Sequence, residues 1–225
     1  MGERVSFKAN GHTTPGYLVR PRQPGPGIVV IQEWWGLVPH IEDIADRFGD
    51  AGFVALAPDL YHGEKATSPD QAGKLMMALR IDEAAKDLAG AIDYVAQQPD
   101  VTPKRVGTIG FCMGGALSLF AACRNPEVGA CAVFCGGHPN VKPDLSSLQA
   151  PVLGMYAGKD SFVTAESVNE LDRQLTALGK RHEFHKYPDA DHGFFNDQRP
   201  EVYDATAAAD AWAKTIAFFG RELQA

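Results

Sequence analysis

Residues 106–123 are 18 consecutive positions without a charged side chain, and four of them are glycines, at 107, 110, 114 and 115. A membrane-spanning helix needs ~20 strongly apolar residues. This stretch is only moderately apolar, and its glycines disfavour one unbroken helix. A buried strand, a tight turn and a buried helix fit it better. That reading predicts a chain in which strands lead directly into helices.

The remaining sequence repeats the alternation. Residues 27–32, 53–57, 105–110, 128–135 and 151–157 are short apolar runs that read as buried strands, with a weaker strand at 182–187. Helical spacing joins Ile41, Ile44, Ala45 and Phe48, then Ile81, Ala84, Leu88, Ile92 and Val95. It returns at Val168, Leu171, Leu175 and Leu178, and in steps of three and four from Val202 through Trp212 to Phe219. Strands alternating with helices build βαβ units, so the expected fold is α/β: a mostly parallel, doubly wound sheet with helices on both faces. Residues 5–8 and 17–20 are expected to form an antiparallel hairpin at one edge. No linker, composition shift or internal repeat divides the chain, so residues 1–225 read as a single domain.

Composition narrows the partners. With 21 Lys and Arg against 28 Asp and Glu, the net charge is −7, a poor basis for binding nucleic acid or an anionic membrane. The four cysteines, 112, 123, 131 and 135, are too few for a disulfide scaffold, and no C-x-x-C pair suggests a zinc knuckle or a redox motif. The first ten residues are charged and lack the apolar core of a secretory signal. The expectation is a cytoplasmic protein with reduced thiols, monomeric or a small homo-oligomer, needing neither metal nor cofactor.

In a sheet of this kind, ligands sit beyond the carboxyl ends of the strands. Three positions there carry suggestive chemistry. Gly110-Phe-Cys-Met-Gly114 joins a strand to a helix and has the form of a nucleophile elbow, with Cys112 where serine is usual. The glycines would allow strand and helix to pack closely, and the helix N-terminus would favour a thiolate and a developing oxyanion. A glycine-rich turn holding a structural cysteine is the plain alternative; Cys123, Cys131 and Cys135 are read as core residues. Asp160 follows the strand at 151–157, where it could orient a base or merely cap a helix. His192, followed by Gly193, lies in the loop after the last strand and completes the order nucleophile, acid, base. His12 and His62 fall in exposed-looking turns, and no histidine pair has metal-ligand spacing.

Taken together, Gln32-Glu-Trp-Trp-Gly36, Gly110-Phe-Cys-Met-Gly-Gly115, Ala157-Gly-Lys-Asp160 and Asp191-His-Gly-Phe194 resemble the dienelactone hydrolase (carboxymethylenebutenolidase) family of the α/β-hydrolase superfamily, along essentially the whole chain. The resemblance implies a hydrolase of lactone or small ester bonds. Cys112 would be its nucleophile, His192 its base and Asp160 the orienting carboxylate. The backbone N–H groups of Trp34 and Met113 would form the oxyanion hole, and Glu33 would control ionisation of the thiol. Arg80 would match a carboxylate-binding arginine of the family; Trp35 and Phe162, which flank the site in sequence, would either line an apolar substrate pocket or belong to the core. The family pattern expects a second carboxylate-binding arginine four residues after the base, and here that position is Asn196, with Arg199 out of register. The substrate is therefore open between dienelactone and another lactone, ester or thioester. Two further readings compete: a ligand-binding protein that has kept the fold, and a peroxide-reactive thiol protein, for which no other cysteine has an evident resolving position.

Overall fold

The computed structural model describes residues 2–9 and 11–224. Among them, strands β1 (Glu3–Ala9), β2 (His12–Val19), β3 (Gly25–Ile31), β4 (Val54–Pro58), β5 (Val101–Phe111), β6 (Val128–Phe134), β7 (Val152–Ala157) and β8 (His182–Tyr187) pair in the order β1-β2-β4-β3-β5-β6-β7-β8. The pairs β1–β2 and β2–β4 are antiparallel and the others are parallel. This is the mostly parallel α/β sheet expected from the alternation, with the expected hairpin at its edge, and it is the α/β-hydrolase fold that the family resemblance implies.

The parallel strands read as continuous apolar runs because both sheet faces are covered. All seven residues of β3 are buried, and they alternate between two cores. Val29 and Ile31 meet Leu88, Ile92 and Val95 of α3 (Ile81–Ala96) and Leu117 of α4 (Met113–Arg124). Ile28 and Val30 meet Ile41, Ile44 and Phe48 of α1 (Pro39–Asp50) and Phe218 and Phe219 of α6 (Ala205–Leu223). The helices at the two faces therefore use the stripes that the spacing predicts. On the first face Leu175 adds α5 (Ala165–Ala177) to the core.

Two elements differ from expectation. Helix α2 (Pro69–Ala78) has no counterpart in the apolar pattern, since Ala72 is its sole buried residue; it is started by Ser68, whose hydroxyl accepts the Gln71 N–H, and by Pro69. Val202 lies outside α6, which begins after Asp204 accepts the N–H groups of Thr206 and Ala207. The stretch at 106–123 resolves into the end of β5, a turn at Cys112 and most of α4. No helix among the described residues is long and apolar enough to cross a membrane.

Candidate active site

Because β3, β5, β7 and β8 run parallel, the loops after them share one edge of the sheet. Those loops carry Glu33, Cys112, Asp160 and His192. Cys112 separates β5 from α4 with φ 53° and ψ −118°, a conformation L-residues rarely adopt. The flanking glycines make this turn possible. A Cβ on Gly110 would lie 1.9 Å from the Gly114 oxygen, and one on Gly114 would lie 2.4 Å from the Ile31 oxygen. The Cys112 carbonyl accepts the N–H groups of Gly115 and Gly137, at 3.0 and 3.2 Å, which fixes the turn from both sides.

Asp160 and His192 meet across the same edge. The Asp160 carboxylate is 1% exposed. Its Oδ1 accepts the N–H groups of Phe162 and Val163 at 2.8 and 2.9 Å, and its Oδ2 lies 2.6 Å from His192 Nδ1. Burial works against this carboxylate, but the bonds from His192 and the two N–H groups outweigh it and hold its pKa below the ordinary range. The His192 ring faces the same small cavity as Cys112. Burial lowers its affinity for a proton, yet the Asp160 and Cys112 interactions prevail and lift its pKa to about 10. A proton can thus be held between sulfur and ring, with the carboxylate behind it.

Glu33 is 5% exposed, and Asn196, itself 4% exposed, donates its Nδ2–H to Glu33 Oε2 at 3.0 Å. Burial raises the Glu33 pKa, against smaller opposing effects of that bond and of His192 and Arg199. Glu33 and Cys112 border the same cleft of about 640 Å³, together with Trp34, Trp35, Phe162 and Arg199. The size suits a small organic ligand. Phe162 is 77% exposed and its ring lies 5.5 Å from that of His192. Met113 opens α4, so its N–H is among those with no acceptor within the helix.

Arg80 corrects an expectation. It precedes α3, makes no side-chain cap bond, is 77% exposed and ion-paired to Glu83 at 2.9 Å, and it does not line this cleft. Arg199 does line it, with its guanidinium 5.9 Å from the Trp35 ring centroid. Asn196, where a second arginine is expected, is turned to Glu33 rather than to the cleft.

Cys135 is the core residue that the sequence suggests, but it also lies beside the site. Its residue number gives no hint, but β6 lies beside β5, and the pairing of Phe111 with Phe134 brings the next residues, both cysteines, together. Burial pushes the Cys135 thiol pKa far up, reinforced by Asp160 beside it, so the thiol stays neutral next to that carboxylate. The Cys135, Asp160 and His192 donor atoms lie within 4.8 Å of one another and form a possible metal set, as do those of His12, His62 and Asp87. His138 lines the cleft too, accepting the Asn140 N–H at Nδ1 and reaching the Met76 carbonyl of α2 from Nε2 at 3.1 Å.

Comparison with known proteins agrees with this architecture. The model of the dienelactone hydrolase family matches residues 14–223. A protein of Aquifex pyrophilus named protein usf is 38% identical over 97% of this chain and 98% of its own. A protein of Aquifex aeolicus named as a candidate carboxymethylenebutenolidase is 35% identical over 97% of this chain and 98% of its own. Among solved structures, a dienelactone hydrolase-like promiscuous phosphotriesterase, P91, from metagenomic libraries superposes with a TM-score of 0.87 at 25% identity, covering 99% of this chain and 98% of its own. The chain is a hydrolase that belongs to the dienelactone hydrolase family.

Proposed function

We propose that this protein is a cysteine-dependent hydrolase of lactones or small esters. The observation that carries the reading is the Asp160–His192 hydrogen bond at 2.6 Å, with the ring sharing a cavity with Cys112 and the cysteine on a strained turn at a helix N-terminus. In the first step the Cys112 sulfur attacks the carbonyl carbon while the ring of His192 holds the proton that the thiol has given up. The negative charge that develops on the carbonyl oxygen is met by the N–H groups of Met113 and Trp34. The protonated ring then gives its proton to the leaving alkoxide, and a thioester to Cys112 remains. Neutral His192 next takes a proton from water, and the hydroxide displaces the sulfur as the acid forms. Asp160 keeps the ring proton on Nδ1 and stabilises the imidazolium. No step calls for a metal or a cofactor.

Glu33 supplies the brake. It borders the same cavity as Cys112, and an ionised carboxylate there would repel negative charge on the sulfur until a substrate rearranges the site. The cleft combines indole and phenyl surface with two cationic side chains, Lys159 and Arg199. It fits a small substrate with an apolar body and one acidic group.

The test is turnover of p-nitrophenyl acetate and of a dienelactone by wild type and Cys112→Ala, with mass spectrometry of the quenched wild-type reaction. Loss of at least ~10³-fold in kcat in the variant is expected, together with an acyl adduct on the peptide that contains Cys112. Equal turnover by the two proteins, or no turnover and no adduct, overturns the proposal.

A further inference from the structure

One cluster of side chains has no part in the chemistry above. His12 opens β2, His62 lies in the loop that follows β4, and Asp87 sits in the middle of α3. These positions are far apart in sequence, yet both rings point their Nε2 atoms at one carboxylate. His12 Nε2 is 3.0 Å from Asp87 Oδ1 and His62 Nε2 is 3.2 Å from Asp87 Oδ2. The two rings stand edge to face, with centroids 5.3 Å apart.

The burial is uneven in an informative way. The Asp87 carboxylate is 2% exposed, whereas the rings of His12 and His62 are 41% and 45% exposed. A buried carboxylate is costly unless positive charge or hydrogen bonds compensate it. Among the described residues, Asp87 has no lysine or arginine at ion-pair distance; the two imidazoles are its ionic partners. Thr14, fully buried, adds a hydroxyl donor to Oδ1 at 3.2 Å.

Two imidazole nitrogens and a carboxylate oxygen are a donor set that suits zinc and its neighbours in the transition series. The spacing fits as well. With metal–ligand bonds of ~2.0–2.2 Å, donor atoms of a tetrahedral zinc lie ~3.3–3.5 Å apart. Here each ring lies against its own oxygen of the carboxylate, at 3.0 and 3.2 Å, and one donor atom from each of the three residues falls within 4.8 Å of the other two. Thr14 stands where an outer hydrogen bond commonly orients a ligating carboxylate. Solvent reaches the exposed rings, and a cavity of about 200 Å³ bordered by His62 and Asp87 leaves room for water.

We propose that His12, His62 and Asp87 form a binding site for one divalent transition-metal ion of the zinc class, with water completing a tetrahedral shell. Both rings bind through Nε2 and keep their proton on Nδ1. The ion ties the β1–β2 hairpin, the loop after β4 and helix α3 to one point. That loop also carries Tyr61, whose hydroxyl donates to the Met113 sulfur at 3.4 Å. The role is structural, and it does not depend on the hydrolase mechanism.

The test uses the full-length protein, stripped with a chelator and titrated with zinc(II) by calorimetry and with cobalt(II) by absorption. One ion per chain is expected, with a cobalt spectrum of nitrogen and oxygen ligands and no sulfur charge-transfer band. His12→Gln and His62→Gln alter exposed side chains and leave the fold intact by circular dichroism. Each should weaken zinc binding by more than the ~10–100-fold typical of losing an outer-shell partner. Zinc should also raise the melting temperature of the wild type and not of the variants. Wild type and variants binding alike would overturn the site, as would no binding to the wild type. A sulfur charge-transfer band that survives both substitutions would place the ion at the cysteines instead and would also overturn it.

Discussion

At the scale of single residues, the site is a contest between groups that want a proton and a burial that opposes charge. His192 is the clearest case. Its pKa is lifted to about 10 from an ordinary 6.5, against burial and through Asp160 and Cys112. A folded-state pKa above the unfolded one means a stabilisation fully present below the ordinary value and lost as pH climbs through about 10. Asp160→Asn removes the charge that holds the proton, so the ring should titrate well below wild type, and kcat should fall by roughly 10³–10⁴-fold. Proton NMR of the His192 ring against pH checks the first statement, and an unchanged midpoint contradicts it. Glu33 has the opposite character. Its raised pKa also gives stability at low pH that is lost as pH rises through the shifted value, because the ionised form is buried. Glu33→Gln should therefore raise the melting temperature by about 2–4 °C near pH 8, by less near pH 5, and speed alkylation of Cys112 by iodoacetamide at fixed pH. Cys112, Asp160 and His192 could be read from the sequence because each follows a strand in a fixed order. Cys135, Arg199 and the bond between Asn196 and Glu33 could not, because they depend on which strands are neighbours and how one loop folds back.

At the scale of elements, the apolar runs and helical stripes located all the parallel strands, because burial on both sheet faces writes itself into composition. Helix α2 escaped for the converse reason. With Ala72 alone buried, it shows little apolar period, and what marks it is the start signal Ser68-Pro69. It is held near the cleft by the contact of His138 with the Met76 carbonyl. The junction of β5 and α4 is the opposite kind of element, fixed by backbone contact. Gly114 leaves no room for a methyl group, since the nearest atoms are the Ile31 and Gln32 carbonyl oxygens at 2.4 and 2.5 Å. Gly114→Ala must push α4 away from β3, an overpacking that costs about 1–3 kcal/mol. It also moves Cys112 from its position at the helix start. The expected result is a lower urea midpoint together with a drop in kcat of at least ~10²-fold, since a shift of ~1 Å at a reacting atom has that effect. Gly220→Ala, on an open part of α6, should leave kcat unchanged, which separates loss of geometry from a general response to added bulk.

At the scale of the whole molecule, charge decides how an acidic substrate reaches the cleft. The net charge of −7 repels an anion at long range. Arg199, 34% exposed and stacked near Trp35, attracts it at short range. The two fields respond differently to salt. At ~0.1 M ionic strength the screening length is ~10 Å, and at 1 M it is ~3 Å, so added salt removes the repulsion of distant carboxylates before it weakens a direct contact in a half-buried cleft. For a lactone carrying a carboxylate, kcat/KM should rise between ~0.01 and ~0.5 M salt. For a neutral ester of similar size it should stay flat. Arg199→Gln should lower kcat/KM for the acidic lactone by ~10-fold or more at every salt concentration, the scale of one charged hydrogen bond, and leave the neutral ester nearly untouched. Arg80→Gln, at a site outside the cleft, should change neither substrate by more than the small shift expected from altered net charge. If Arg80→Gln instead gives the selective loss and Arg199→Gln does not, the acidic group of the substrate lies against α3 and not over Trp35, and the cleft has been assigned the wrong cation.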